Sequence, residues 1–275
     1  MKIKKIIAVV LCLQITFACL FETASAYNNE NDSNFTNLII FAKFSDEDEF
    51  IDDNYGESVR KITDNSYNSA QYNVSDYFRS VSNGKVQMNS VYLFDNGGSV
   101  TLSRKRAYYA SGSDENPDGY FDSGERAERM YQLKEDWAQA VNRAIGNGIT
   151  DYSGKKNDLS ELDKNHDGYI DLITIIYKPT VQTNISVEWA SPLWNYQDQT
   201  SLVEINSNGT LLHSRSYVQM TKDYKYLYTD ANGNKITAIG VNSHETAHGF
   251  GLYELYQSPY QPVGYMSAMG KHTTE

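Results

Sequence analysis

Short apolar runs alternate with polar, turn-rich stretches along this chain, and the spacing within each run predicts the element it forms. Residues 38–44 (LIIFAKF) are short and almost wholly apolar, the mark of a buried strand. The polar residues 27–37 before them predict a loose segment, and the acidic run SDEDEF after them a loop. Residues 76–82 have helical spacing, with Val74-Ser75-Asp76 as a start and Asn83-Gly84 as a stop. Residues 85–94 alternate and predict a strand, followed by a turn at Asn96-Gly97-Gly98. After an Asp- and Gly-rich loop at 111–124, residues 125–145 carry the longest helical pattern. Met130, Leu133, Trp137, Val141, Ala144 and Ile145 fall near one face of it, and Gly146-Asn147-Gly148 ends it. Residues 170–177 (IDLITIIY) form a β-branched run that predicts a second buried strand. Residues 186–235 predict several short strands in no clear order, and residues 238–251 a helix. The expected class is α+β: a mixed, twisted sheet backed by a long helix, with a second helix that carries the chemistry.

Composition adds a compartment. The basic start MKIKK, the apolar run IIAVVLCLQITFACLF and Ala24-Ser25-Ala26 predict a secretory signal peptide over 1–26, cleaved after Ala26. An apolar run of about 16 residues is short for a membrane span, and no later run is long enough to cross a bilayer. Cys12 and Cys19 both fall in this leader, so the expected mature domain, 27–275, has no cysteine for a disulfide. A core must stabilise it instead, with bound ions as a candidate second source. The chain holds 24 basic and 35 acidic residues, a net charge of -11. Without Lys2, Lys4, Lys5 and Glu22 the mature value is about −13. Phosphate would repel such a chain, which disfavours nucleic acid as a partner.

Within the last predicted helix stands His244-Glu245-Thr246-Ala247-His248. Residues i and i+4 share a helix face, so two imidazoles can meet one ion, and zinc accepts imidazole nitrogen. Glu245 follows the first ligand, where its carboxylate can reach a water acidified by the metal and take its proton. In a chain with five histidines, this pattern arises by chance with odds of roughly one in two hundred. Catalytic zinc takes three protein ligands and keeps one position open. Downstream, Glu254, His272 and Glu275 are the candidates for the third. Glu254 comes six residues after His248, and Gly251 between them can break the helix and turn the chain back.

The stretch from His244 through Gly251 to Glu254 resembles the HExxHxxGxx-plus-ligand signature of metzincin-like zinc peptidases. The fuller resemblance is to secreted bacterial peptidases of the immune inhibitor A type. NLIIFAKFSD, VSDYFRSVSNGKVQMNS, LDKNHDGYIDLITIIY and NSHETAHGFGLYELY resemble successive blocks of that catalytic domain, in order, across about residues 38–269. The resemblance implies a metzincin-like catalytic domain and a zinc endopeptidase acting on a protein or peptide substrate. It implies His244 and His248 as zinc ligands, Glu245 as general base, and a methionine turn in VGYMSAMG, with Met269 ahead of Met266. Family members commonly carry aspartate where Glu254 stands. Their domain usually continues past the position of Met269, so the lower lobe is expected to be short or truncated.

A second ion site is expected at residues 163–171 (DKNHDGYID). Asp163, Asn165 and Asp167 stand at positions 1, 3 and 5 of a calcium loop, with Gly168 at 6, the Tyr169 carbonyl at 7 and Asp171 at 9. Position 12 is Thr174, so a closing carboxylate must come from elsewhere, with Asp158 and Glu161 as candidates. The competing reading is a turn built from ordinary turn residues. His166 and His213 are expected to be surface or core residues and not ligands. The predicted function is a secreted zinc endopeptidase; the alternatives are a non-catalytic extracellular binding module on a peptidase fold, and a zinc hydrolase of another substrate class. Substrate specificity and oligomeric state carry no sequence signal.

Overall fold

The computed structural model describes residues 34–51, 73–151, 153–178, 196–220, 228–229, 235–236 and 240–252. The leader expected at 1–26 lies outside them. The first strand, β1 (Asn34–Lys43), is buried along nearly its whole length. It starts earlier than the apolar run predicts. Residues 34–37, expected to be loose, are strand because they pair with residues 87–90 and their polar groups find distant partners as well. Thr36 N donates to Asp171 Oδ2 at 2.7 Å, and the Asn37 side-chain oxygen accepts from Thr174 Oγ1 at 2.9 Å.

Around β1 lies a mixed sheet. Its strands are β2 (Gln87–Leu93), β3 (Val100–Thr101), β4 (Ile149–Thr150), β5 (Lys156–Asn157), β6 (Leu172–Tyr177), β7 (Tyr196–Gln199) and β10 (Ser216–Met220). The order is β5-β4-β2-β1-β6-β10-β7, with β3 beside the end of β1. The centre, β2-β1-β6-β10, is parallel: Leu38 pairs with Val91 on one side and Ile173 on the other. Strands buried on both faces need apolar residues at every position, which is why residues 38–44 and 172–177 show no alternation. Among the described residues the sheet ends in an antiparallel strand on each side, β5 against β4 and β7 against β10. Two further hairpins, β8 (Glu204–Ser207) with β9 (Thr210–His213) and β11 (Tyr228–Thr229) with β12 (Lys235–Ile236), account for other short strands expected in this stretch.

Alternate β1 side chains feed two cores. Leu38, Ile40, Ala42 and Phe44 join Leu133, Trp137 and Val141 of the long helix α2 (Ser123–Ala144). Ile39 and Phe41 join Phe78 of α1 (Val74–Val81) and Ala247 of α3 (Gly240–Gly249). Each of the first two helices is capped by a side chain: Asn73 accepts from Asp76 N at 2.7 Å, and Asp122 from Glu125 N at 2.8 Å. The predicted stop after α1 holds, with Asn83 and Gly84 both at positive φ. Asp136, buried inside α2, accepts Ser103 N at 2.8 Å and the Tyr109 hydroxyl at 3.2 Å, tying the helix to the loop that crosses it.

The acidic run after β1 is a loop, as expected, but its carboxylates are braces. Glu47 accepts Phe44 N and pairs with Arg106. Glu49 accepts the N–H groups of Phe50, Ile51 and Ser99. Burial alone would raise the Glu49 pKa, but these N–H donors together hold it below its ordinary value. A Cβ on Gly98 would stand 2.5 Å from Glu49 Oε2, so any larger residue there would displace this carboxylate from its place beside the turn.

Candidate metal centre

The predicted helix over 238–251 is observed as α3. It packs against β10, β7 and α1. Its seat is close: a Cβ on Gly249 would meet Leu172 Cδ1 at 2.5 Å and Val218 Cγ2 at 3.6 Å. The next residue, Phe250, packs its ring 4.3 Å from Phe35 and 5.0 Å from Phe78, edge-on to the latter. The helix then stops as Gly251 requires. Gly251 takes φ +81, its N–H reaches His248 O at 2.8 Å, and Leu252 N reaches Ala247 O at 3.1 Å. These two bonds form a Schellman ending, and the left-handed residue between them favours glycine.

On this helix His244 Nε2 and His248 Nε2 lie 3.2 Å apart, with the rings nearly perpendicular at 86°. Two nitrogens each 2.0–2.1 Å from one tetrahedral ion stand about 3.3 Å apart, so the pair has the separation of two ligands on one zinc. The same spacing suits a single N–H···N hydrogen bond between neutral rings. The other nitrogen of His248, Nδ1, lies 2.7 Å from the carbonyl oxygen of Leu252. A carbonyl only accepts, so Nδ1 carries the proton, and in the neutral ring Nε2 keeps its lone pair toward His244.

Glu245 is 8% exposed and sits among buried Asn242, Ser243 and Thr246. Ligand atoms of His244, Glu245 and His248 all lie within 4.8 Å of one another. Among the described residues no other group of three or more His, Cys, Asp or Glu side chains converges in this way. Two imidazoles and a carboxylate are a borderline-soft donor set of the kind zinc and other first-row divalent metals take. The expected third ligand Glu254, its alternatives His272 and Glu275, and the methionine-turn candidates Met269 and Met266 lie outside the described residues.

Residues 163–171 close on themselves. Asp163 accepts Asp167 N at 3.0 Å and Gly168 N at 2.9 Å; Asn165 accepts Asp167 N at 3.2 Å; Asp167 accepts Tyr169 N at 2.9 Å. His166 and Gly168 both take positive φ. Asp171 accepts Lys164 N from the loop as well as Thr36 N from β1. Its desolvation raises its pKa; the two N–H donors oppose this, neighbouring Asp163 and Asp167 add to it, and the result is about 7. Thr174, at position 12, is spent inside the sheet on Asn37. Asp158 caps a short helix through Ser160 N and holds Asn208, while Glu161 pairs with Lys164. Arg215 pairs with Asp167 at 3.2 Å and lies over the Tyr169 ring. His166 is exposed and His213 pairs with Glu204, both apart from the histidine pair on α3.

Sequence reasoning missed the Leu252 carbonyl, the Gly249 contact and the aromatic seat of Phe250. Their one trace in the sequence is the aromatic residue set between two glycines directly after the second histidine. No family model matches this chain, and no curated protein matches it.

Proposed function

We propose that the chain is a secreted, zinc-dependent endopeptidase of the immune inhibitor A type, with a metzincin-like catalytic domain. The observation that carries this is the 3.2 Å approach of the His244 and His248 Nε2 atoms beside a nearly buried Glu245. His244, His248 and Glu254 would hold the metal. Bound zinc supplies Lewis acidity, polarising a carbonyl and acidifying water.

Glu245 takes a proton from the attacking water and delivers it to the departing amine. Its burial keeps it from being a freely solvated surface charge. A polypeptide substrate is supported by the neighbour of the site. β7 ends the sheet among the described residues, runs antiparallel to β10, and packs against α3. An extended peptide can add to such an edge by main-chain hydrogen bonds, which orient a scissile bond without regard to side chains.

The 1–26 leader supports export, and a mature protein beginning at Tyr27 by mass spectrometry would support it directly. Calcium at 163–171 is a separate proposal that rests on the oxygen spacing of the sequence, because in the fold Asp163, Asn165, Asp167 and Asp171 already accept N–H groups of the loop and Asp167 pairs with Arg215, as in a plain turn. The decisive experiment compares wild type with Glu245→Gln for zinc content and casein cleavage. Zinc retained with cleavage lost supports the proposal; zinc retained with unchanged cleavage, or no zinc in the folded wild type, overturns it.

A further inference from the structure

We infer that Phe250, seated on Phe35 and Phe78, is the positioning residue that sets the tautomer of His248; for the metal itself this rests on the zinc reading above. The chain of contacts is short. Phe250 sits between His248 and the turn at Gly251, and its ring is clamped by Phe35 from the start of β1 and by Phe78 from α1. All three rings belong to one core under the sheet.

Only Gly251 separates that clamp from Leu252, whose carbonyl receives the His248 Nδ1–H at 2.7 Å. The carbonyl has no side chain to steer it. The Schellman bonds, made by Gly251 N and Leu252 N, and the held Phe250 ring set the course of the backbone that leads up to it. Loosen the ring and the turn can rotate; the Nδ1 proton then loses its acceptor, and the imidazole can carry its proton on Nε2 instead. A proton there removes the lone pair a metal needs. Groups that orient a ligating histidine through its second nitrogen typically govern metal affinity by 10–100-fold. Gly249 cooperates, because the helix can bring Phe250 down onto Phe35 only where no Cβ meets Leu172.

The test has a metal-free arm and a zinc arm. In the full chain, 15N resonances of the histidine rings, assigned by single substitutions, report which nitrogen of His248 holds the proton. Wild type is expected to show Nδ1 protonated and Nε2 bare. Phe78→Ala, which alters no residue of the helix or the turn, is expected to shift His248 toward a tautomer mixture and to weaken zinc, read by competition with a chromophoric chelator, about 10-fold or more. Phe78→Leu should restore both. Val141→Ala, in the core on the opposite face of the sheet, should lower the melting temperature and leave both readouts alone. Should alanine at 78 prevent folding, Phe250→Ala is read in the same way, with Phe250→Leu as its restoring partner. An unchanged His248 tautomer and zinc affinity in folded Phe78→Ala, or an equal loss in Val141→Ala, overturns the inference. A wild type that takes no zinc removes the metal reading, while the metal-free tautomer still decides this one.

Discussion

His244 Nε2 and His248 Nε2 stand 3.2 Å apart across one turn of helix, close enough to share either a proton or a metal ion. The two cases separate cleanly in a thermal scan. Zinc at a hundredfold excess over its Kd should stabilise wild type by about 2.7 kcal/mol. His244→Ala and His248→Ala should each abolish that increment and the casein-cleaving activity, with little change in the melting temperature of the zinc-free protein.

Glu245→Gln keeps the shape of the side chain and removes its basicity. Peptide hydrolysis should fall by about 10²–10⁴-fold, the usual worth of a general base. Zinc content by mass spectrometry should remain that of wild type, which distinguishes loss of the base from loss of the metal.

Gly251 is held at φ +81, where a Cβ is strained. Gly251→Ala should cost about 1–2 kcal/mol in urea unfolding. It should also lower zinc affinity, because the same turn aims the Leu252 carbonyl at His248.

Gly249→Ala places a methyl 2.5 Å from Leu172 Cδ1 in a packed core. Overpacking of this kind costs about 1–3 kcal/mol. Leu172→Ala in the same chain removes the clashing atom, so a double-mutant cycle should return a coupling energy of the opposite sign.

Asp171 links pH to stability. Its folded pKa, about 7, lies above the ordinary 3.8, so between these values the folded protein holds a proton that the unfolded chain has released. The contribution is complete below about pH 4 and is lost as pH rises to 7 and beyond, up to about 4 kcal/mol. Asp171→Asn should flatten this slope in urea denaturation between pH 4 and 8 while keeping an acceptor for Thr36 N. Saturating calcium, by favouring the ionised carboxylate, should flatten it too if the ion sits in this loop; an unaltered slope would argue for a plain turn.

Much of this was legible in the sequence, for reasons that differ by element. The strands around residues 40 and 175 and the helix of Trp137 announce themselves because burial on both faces, or on one face, forces a composition or a period. The start of β1 does not. Asn34, Thr36 and Asn37 look like loop residues, and it is pairing with β2, together with bonds from Thr36 N to Asp171 and from Thr174 to Asn37, that makes them strand. At the site, His244, Glu245, His248 and Gly251 are readable because helix geometry fixes what their spacing means. The Leu252 carbonyl is a backbone atom that any residue could supply, so no pattern of side chains points to it. The acids at 47 and 49 mislead in the other direction, since a run that looks solvated is spent on N–H groups and Arg106.

The parallel centre of the sheet carries a kinetic consequence. β2, β1, β6 and β10 are neighbours in space but come from well-separated parts of the chain, and loop-closure entropy must be overcome before each pairing returns any energy. The histidine helix rests on Phe35, Leu172 and Val218, one residue from each of three of these strands. Refolding should therefore be slow for a domain of this size, and the metal-ready geometry should appear with the final cooperative phase. A nascent polypeptide still being synthesised would lack it, which delays any cleavage of its own unfolded neighbours.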